Sequence, residues 1–571
     1  MENKQIADLF DEIADLLELK EANAFRVRSY RNAALTVRHL SDRVEDLAAE
    51  GADLSKLSNI GDATAKKIHE ILETGTCKRL EDLRGEMPER LPDIMHIPGV
   101  GARKAMQLHQ ELDVDSVDDL RKACENHRVR ELNGMGEKTE QNILQGIKTV
   151  KSTAGRLLYR EAAEYLESLA RHLDGLSVID RWEVAGSFRR GRETVGDLDI
   201  LVHARDRGKA TDAMLEYNAI DEVISRGKER VSVRLRGGLQ VDFRYFDTSA
   251  FGSALLYFTG SKAHNIRIRR LAQDHDWKLN EYGLFKDDNL LAGKTEKAVY
   301  TKLKMDWVPP ELREDRGEVQ AALHGDLPHL VEVGDIRGDL QSHTTASDGK
   351  HSIREMAEAA RDYGLDYLAI TDHSKRVTMA NGLNDDQALK HAEEIRKVND
   401  GMKRFWLLAG IEVDILKSGK LDLKEQTLAE LDWVVASIHY DRAMSRKKMT
   451  ERVLAAIKSG VIHCWGHPLG RIIGQREPIP VDMDRIIEAC VEHNVWLEVN
   501  CQPDRLDLPD NYCRRAREAG VRFTMGTDSH SADGFSSIPF GVNTARRGWL
   551  EKKDIINTKT ITELKKELKK R

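Results

Sequence analysis

Residues 186–200, Gly-Ser-Phe-Arg-Arg-Gly-Arg-Glu-Thr-Val-Gly-Asp-Leu-Asp-Ile, concentrate groups that handle phosphate and metal. Residues 182–185 and 197–202 alternate as strands do, so Asp197 and Asp199 leave their strand on one face. Neighbouring carboxylates repel unless a cation lies between them, and oxygen donors suit Mg²⁺ or Mn²⁺. The turn in front offers Ser187, backbone amides beside glycine, and the guanidinium groups of Arg189, Arg190 and Arg192, a seat for a polyphosphate. A bare Asp-x-Asp is usually a solvated turn; the glycine-serine turn before it distinguishes this pair. Residues 231–236 and 239–245 read as paired strands around Gly237-Gly238, and the second carries Asp242. Alone, Asp242 reads as an exposed strand residue. Beside the other two it completes a two-metal site for phosphoryl transfer, with ions ~4 Å apart.

A second block, Tyr257-Phe258-Thr259-Gly260-Ser261 followed by Asn265, Arg267 and Arg269, stands downstream. Together the two blocks resemble the nucleotidyltransferase palm of family X DNA polymerases, the DNA polymerase beta-like family. The resemblance implies that Asp197, Asp199 and Asp242 are catalytic and bind the palm metals, Mg²⁺ or Mn²⁺. It implies that Ser187, Arg190 and Gly196 contact the triphosphate, and that Tyr257, Phe258 and Gly260 contact the sugar and exclude a ribose 2′-hydroxyl. Asn265 would reach the base edge and Arg269 the template side. The alternative for Tyr257-Phe258 is aromatic core packing. Residues 248–271 begin a helical thumb, and residues 279–285 read as a small hairpin.

The elements before the palm are helical. Ile6, Leu9, Phe10, Ile13, Leu16 and Leu17 recur at helical spacing. Short helices continue to about residue 151, and a motif recurs among them: Ile60-Gly61, Ile97-Pro98-Gly99-Val100-Gly101 and Leu132-Asn133-Gly134-Met135-Gly136 each precede a helix start with a nearby Lys or Arg. Glycine lets backbone approach phosphate, and the helix start offers free amides. The motif resembles the helix-hairpin-helix, a sequence-independent grip on the DNA backbone, with Gly61, Gly99, Gly101, Gly134 and Gly136 as its contacts. A single copy reads equally as a helix-connecting turn. The first copy departs from the pattern, with Asn59 at the first glycine position. Arg26, Arg28, Tyr30 and Arg31 read as a phosphate-facing cluster. Lys67 falls at the family's lyase position, whose chemistry is a Schiff base with an abasic sugar. Ala63 replaces the neighbouring pocket lysine, so a phosphate contact or a solvated residue are the other readings of Lys67. Residues 156–173 read as helical, and residues 307–333, with Pro309-Pro310 and Pro328, as a connector that packs on both sides.

From Gly338 the chemistry changes. Residues 367–371, 406–408, 433–437, 496–500 and 522–525 read as strands with helical stretches between, which predicts a parallel barrel or doubly wound sheet. His343 and Asp348, Asp372-His373, Glu412, His439, His467, and Asp528 with His530 collect just after strand ends, where α/β barrels keep their sites. Such ligands suit Zn²⁺, Mn²⁺ or Fe²⁺. One such histidine would ordinarily be a satisfied polar residue; several at successive strand ends point to metal. The motifs at 339–349, 371–374, 410–412, 437–439, 466–468 and 527–530 resemble the PHP (polymerase and histidinol phosphatase) domain. That resemblance implies a (β/α)7-type barrel holding two or three divalent metals on Gln341, His343, Asp348, His373, Glu412, His439, His467, Asp528 and His530. It implies a metal-dependent phosphodiesterase, read as a 3′→5′ exonuclease that also cuts at abasic sites. The usual His-x-His of the first motif is Gln341-Ser342-His343 here, and a neutral carbonyl is the poorer ligand. Arg471 reads as a cation for a substrate phosphate, or else as a surface residue.

At 571 residues the chain is too long for one core. The expected domains are a helical DNA-binding domain at 1–85, a helix-hairpin-helix domain at 86–151, the palm at 152–246, the thumb at 247–324, a linker at 325–336 and the PHP domain at 337–571. A formal charge of −7, from 89 basic and 96 acidic residues, makes any nucleic-acid surface a local one. Six cysteines without CxxC spacing read as reduced, and no apolar run spans a bilayer. The whole reading is a cytoplasmic, nucleoid-associated monomer acting on gapped or primed DNA and dNTPs: a gap-filling repair polymerase with a barrel exonuclease. Its rivals are a phosphoesterase with a vestigial polymerase and a DNA-binding scaffold with inactive sites.

Overall fold

The computed structural model describes residues 1–571 except Glu2, Glu21, 39–43, Glu50, Ser58, Glu89, His96, Pro98, Ala154, Gly155, Lys570 and Arg571. Pro98 of the second hairpin motif therefore lies outside the described residues. The chain forms two compact units, residues 1–154 with 474–476, and residues 155–473 with 477–571.

The first unit is helical. Helices Asn3–Leu19 and Ala24–Arg38 enclose Ile6, Phe10, Ile13, Leu17, Ala33 and Val37. A second cluster gathers Leu91, Ile94, Val100, Leu108, Leu120 and Ile143. The three hairpin turns share one backbone shape. Asn59, Gly99 and Gly134 have φ of +59°, +90° and +79°. The next residue in each closes a turn: Ile60 N donates to Leu57 O, Val100 N to Ile97 O and Met135 N to Leu132 O. Gly61, Gly101 and Gly136 then accept the first helical bonds. Asparagine visits the left-handed region at little cost. Asn59 thus departs from the motif in residue type and not in shape.

In the second unit a five-stranded palm sheet runs in the spatial order 181–184, 197–203, 240–245, 230–235, 220–226. The two carboxylate-bearing strands are parallel neighbours, and their register sets Asp199 opposite Asp242. Helix Tyr159–Asp174 packs on this sheet through Ala162, Leu169 and Leu173. It starts at Tyr159 rather than at residue 156, because Glu161 accepts the amide of Leu158 at 2.8 Å and Leu157–Leu158 pair with Thr194–Val195.

Helices Phe251–Thr259 and Lys262–Gln273 follow, then a sheet in which the 279–285 hairpin gains a third strand, Asn289–Ala292. The stretch read as a connector that packs on both sides contributes to this core. It contains helix Glu318–His324, and Arg313 and Glu318 are fully buried. Arg313 donates to Glu296 at 2.6 Å, and Glu318 meets His264 at 2.7 Å. Buried charges need such partners, and a core built from them shows no apolar periodicity.

The carboxy-terminal part is a sheet of seven parallel strands in sequential order: Gly338–Asp339, Tyr367–Ile370, Trp406–Asp414, Trp433–Ser437, Cys464–Trp465, Trp496–Asn500 and Phe523–Gly526. Leu340 N reaches Met525 O, Asp528 N reaches Gln341 O, and His343 N reaches Ser529 O, which joins the first strand to the last. Asn557 clasps the same seam, donating to Gly338 O and Met525 O and accepting from Met525 N. Trp433 and Trp496, on strands that are not neighbours, stack at 5.5 Å, which only the barrel interior allows. Alternate residues such as Leu368, Ile370, Val434 and Leu497 pack outward in the larger cluster.

Candidate active sites in the palm and the barrel

The palm site is built by register. Asp197 is exposed at the head of its strand, Asp199 half-buried and Asp242 3% exposed. Arg230 donates to Asp242 Oδ2 at 2.7 Å and Gln240 to Oδ1 at 3.1 Å. Burial raises the Asp242 pKa, but hydrogen bonds from Ser232, Arg230 and Gln240 outweigh it and hold the carboxyl below its ordinary value. Asp199 goes the other way. Burial first, then Asp197 and Asp242, push it up to about 6, against the pull of Arg244. The Arg244 guanidinium lies 3.5 Å from Asp199 and 3.6 Å from Asp242. Burial is the larger cause and the two neighbouring carboxylates add to it, so a cation among these groups would be favoured.

The turn 186–189 is a single helical turn beside Asp199. Gly186 is required there: its φ is +66°, and a Cβ would lie 2.8 Å from Asp199 Oδ2. Arg190 donates to Glu314 Oε1 at 3.1 Å and to Thr259 O, which ties the turn to the second block. Arg189 is spent on Glu296 and Thr259. Gly196 faces Arg156. Phe258 lies under Arg244 at 4.5 Å, and its ring is 5.1 Å from Tyr257. Tyr257, Asn265 and Arg269 line one small pocket with Leu279 and Asn280. Asn265 gives its amide to Tyr257 O at 2.6 Å, while its Oδ1 has no hydrogen-bond partner among the described residues. Sequence reading missed Arg244 and Arg230. Arg244 shares the face of Asp242 two residues on, a signal that could have found it, and Arg230 pairs with Arg244 across the sheet.

In the barrel, strand-end residues converge on Glu412. His373 Nδ1 is 3.0 Å from its Oε2, and His467 Nε2 2.9 Å from its Oε1. Three overlapping groups have donor atoms within 4.8 Å of one another: His343, Asp348, His373 and His530; His373, Glu412 and His439; His343, Glu412 and Asp528. His343 lies 3.1 Å from Asp528, and His530 3.3 Å from Asp348. His343 Nδ1 and His467 Nδ1 are buried without hydrogen-bond partners among the described residues. Orphaned donor atoms of this kind fit divalent metals. Asp414, which sequence reading passed over, orients His439 through Nδ1 at 3.1 Å. Asp372 turns away, accepting from Thr344 and His391 at 2.8 Å, and so anchors the loop that bears Asp348. Gln341 is fully buried against Glu498, and with its amide turned so that the nitrogen faces that carboxyl it donates to Oε2 at 3.1 Å.

The expectation for Arg471 needs correcting. It is neither a free cation nor a surface residue: it is 9% exposed and donates to Glu193 of the palm at 2.8 Å and to Leu506 O at 2.7 Å. Another cation within the field of the cluster's acids is Arg505. Burial lowers its pKa, but the fields of Asp528, Asp504, Glu412 and Asp507 outweigh that and hold it above the ordinary value.

In the first unit, Arg26 and Arg28 are exposed. Arg31 is not part of that cluster, because Asp15, Glu18 and Asp11 of the first helix claim its guanidinium. Tyr30 is core, 8% exposed and 6.0 Å from Phe10, with Lys67 over its face at 5.9 Å. Lys67 itself donates to Ala63 O. At Gly61, Gly99, Gly101, Gly134 and Gly136 a Cβ would meet nothing within 4 Å. Gly61 and Gly101 have ordinary φ of −90° and −88° and cap their helices without a side-chain bond. Serine or aspartate would cap better, so neither packing nor conformation explains glycine at these two positions.

Known families match in the same order. Residues 1–77 match a helix-hairpin-helix domain and residues 91–149 a SAM-like helix-hairpin-helix tandem. Residues 156–245 match the DNA polymerase beta palm, 254–314 the DNA polymerase beta thumb and 339–502 the PHP domain. A Bacillus subtilis protein named DNA polymerase/3′-5′ exonuclease PolX is 36% identical over 573 residues, covering 100% of both chains. A probable phosphatase of Vibrio parahaemolyticus is 29% identical over 242 residues, 40% of this chain and 93% of its own. A probable phosphatase of Acetivibrio thermocellus is 30% identical over 202 residues, 34% of this chain and 78% of its own. These phosphatases match only part of the chain, whereas the Bacillus protein matches all of it, helices, palm, thumb and barrel together; the chain belongs to the family X DNA polymerases that carry a carboxy-terminal PHP domain.

Proposed function

We propose that this chain is a DNA-directed DNA polymerase that fills short gaps in repair, with a metal-dependent 3′→5′ exonuclease in its barrel. The observation that carries the reading is the parallel register of Asp199 with Asp242 beside a phosphate turn, on a chain related to the Bacillus enzyme from end to end. Asp197, Asp199 and Asp242 are the residues that would hold two Mg²⁺ or Mn²⁺. When bound, those ions supply charge neutralisation at the reacting phosphate and the leaving pyrophosphate. Asp242 stays ionised at neutral pH through Ser232, Arg230 and Gln240. Ser187, Arg190, Gly196 and the amides of the turn seat the triphosphate. Tyr257, Phe258 and Gly260 hold the sugar, and the unpaired Asn265 Oδ1 is kept for the base edge. Arg269 lies on the template side. In the reaction the primer 3′-oxygen forms a bond to the α-phosphorus as the bond to pyrophosphate breaks. Lys67, held against Tyr30 and Ala63, is read as a phosphate contact.

In the barrel, His343, Asp348, His373, Glu412, His439, His467, Asp528 and His530 would hold two or three divalent ions, and Arg505 a substrate phosphate. Gln341 acts through Glu498. The test of the whole reading is a labelled primer on gapped DNA, with and without dNTPs, in Mg²⁺ and in Mn²⁺. Lengthening and shortening under the respective conditions support the two activities. Neither change would favour a scaffold, and shortening alone a phosphoesterase.

The barrel's metal affinity should rise with pH. Burial lowers the pKa of His373 and His530, but Glu412 and Asp348 overcome it and push the two up to about 8 and about 9. Both imidazoles are then protonated at pH 7, and a metal must displace those protons to bind. Zn²⁺ or Mn²⁺ binding at pH 7 is therefore expected to release protons, and affinity to climb from pH 7 to 9. Calorimetric titration in buffers of different ionisation heat measures this; heats independent of the buffer would refute it.

Gly101→Val is expected to cost at most about 1 kcal/mol of stability, since its Cβ has open space but valine caps a helix less well than glycine, and to weaken binding to gapped DNA severalfold. Fluorescence anisotropy at fixed salt reads the affinity. Equal affinity in the variant would reduce the hairpins to simple connectors.

A further inference from the structure

The phosphate turn of the palm is held from behind by the barrel. Helix Ile538–Arg547, on the barrel's flank, makes two direct contacts with it and a third through Tyr159. Asn543 Nδ2 donates to Gly191 O at 2.8 Å. Arg547 donates to Arg190 O at 2.7 Å and is itself fixed by Asp510 at 2.7 Å and Glu314 at 3.2 Å. Phe540 meets Tyr159 edge-on at 6.0 Å, and Tyr159 stacks on Phe188 of the turn at 4.7 Å. Gly191 is shaped for this approach: its φ is +63°, and a Cβ would lie 1.9 Å from Asn543 Oδ1. The Arg471–Glu193 pair adds a further direct tie two residues on. On its other side the same turn touches the site, with Ala185 N donating to Asp199 O at 2.8 Å and Gly186 against the Asp199 carboxylate.

Glu314 joins the two halves of this arrangement. Its Oε1 receives Arg547 from the barrel and Arg190 from the turn, with Arg192 3.8 Å away. A carbonyl held by a charge-assisted bond has little freedom. The two bonded carbonyls are those of Arg190 itself and of the residue after it. Their position sets where the Arg190 side chain and the turn's amides point.

We propose that this barrel helix is a positioning element of nucleotide addition: Asn543 and Arg547 hold the turn so that Ser187, Arg190 and its amides face the incoming triphosphate beside Asp199. The proposal rests on the reading of that turn as the triphosphate seat. Neither residue touches a reacting group. The barrel thereby serves the palm through a route that does not involve its own metal ligands.

The experiment uses the full chain. Gap filling is measured with dNTP varied at saturating DNA, alongside digestion of single-stranded DNA and thermal stability. Asn543→Ala is expected to raise the KM for dNTP roughly tenfold, since small displacements of positioning groups are costly. The same variant should keep kcat within about threefold and leave DNA affinity and digestion unchanged. Asn543→Asp, isosteric but unable to donate, should do the same, and Arg547→Ala should raise KM at least as far. Asn543 is half-buried on a helix, where alanine is favoured, so its variants remain decisive should Arg547→Ala unfold. A wild-type chain that fails to extend a primer would sink the polymerase reading itself. Extension by wild type, with KM in both Asn543 variants within twofold of it, would overturn the positioning role alone, as would equal loss of both activities.

Discussion

Asp242→Ala is expected to abolish nucleotide addition while digestion of DNA continues at the wild-type rate. Asp242 lies opposite Asp199 in the parallel register, so its loss removes one of three carboxylates from the site. Metal stabilisation of phosphoryl transfer is worth several kcal/mol, and each ~1.4 kcal/mol is tenfold. A fall of about 10³-fold or more in single-nucleotide gap filling follows. The fold should survive. Arg230, the main partner left behind, has a side chain 46% exposed and can turn to water. Asp242→Asn keeps the shape and should lose nearly as much, which separates charge from packing. Labelled-primer extension on a one-nucleotide gap measures the effect. A rate within tenfold of wild type would remove Asp242 from the chemistry and with it the assignment of the palm site.

His530→Ala is expected to remove the nuclease and spare gap filling. His530 stacks on His343 at 4.2 Å and lies 3.3 Å from Asp348, so it closes one of the three donor groups. Its side chain is 36% exposed, so truncation opens no core cavity. Glu412, which joins two of those groups, is fully buried, and replacing it would confound chemistry with folding. Loss of a ligand costs at least the 10–100-fold in affinity or activity typical of its supporting groups. Digestion of a labelled single strand should fall about 10²-fold or more, and the metal content of the purified protein should drop. Retained digestion would take His530 out of the metal site. Gap filling lost together with digestion would mean that the metal cluster itself props the palm, a different dependence from the one assigned to Asn543 and Arg547.

Much of the site was legible because it is local. Side chains alternate on a strand, so Asp197 and Asp199 share a face whatever surrounds them. The Gly-Ser turn and the strand-end histidines were visible for the same reason. The alternation of strand and helix after Gly338 left a parallel barrel or a doubly wound sheet, and seven parallel strands in sequential order, joined first to last, are found. Two of them, Gly338–Asp339 and Cys464–Trp465, are only two residues long and left no pattern to read.

Long side chains were misread where their partners come from far along the chain. Arg471 looked like a free cation until the fold brought Glu193, 278 residues away, against it. Arg31 looked like a phosphate contact until the first helix presented Asp15 and Glu18. The stretch around Arg313 looked like a connector because its core is made of charges, which carry no apolar period. Asn59 looked like a flaw in a motif, although asparagine adopts the same left-handed turn.

Residue order alone therefore determined which groups could do chemistry, since carboxylate, imidazole and glycine positions depend on neighbours a few residues off. Only the tertiary structure decided which cations remain available to substrate, how the first barrel motif spends Gln341 on Glu498, and that a barrel helix grips the palm's phosphate turn. Those outcomes depend on charges and carbonyls meeting across hundreds of residues. A flexible side chain has no direction until the partner that neutralises it has been folded into reach.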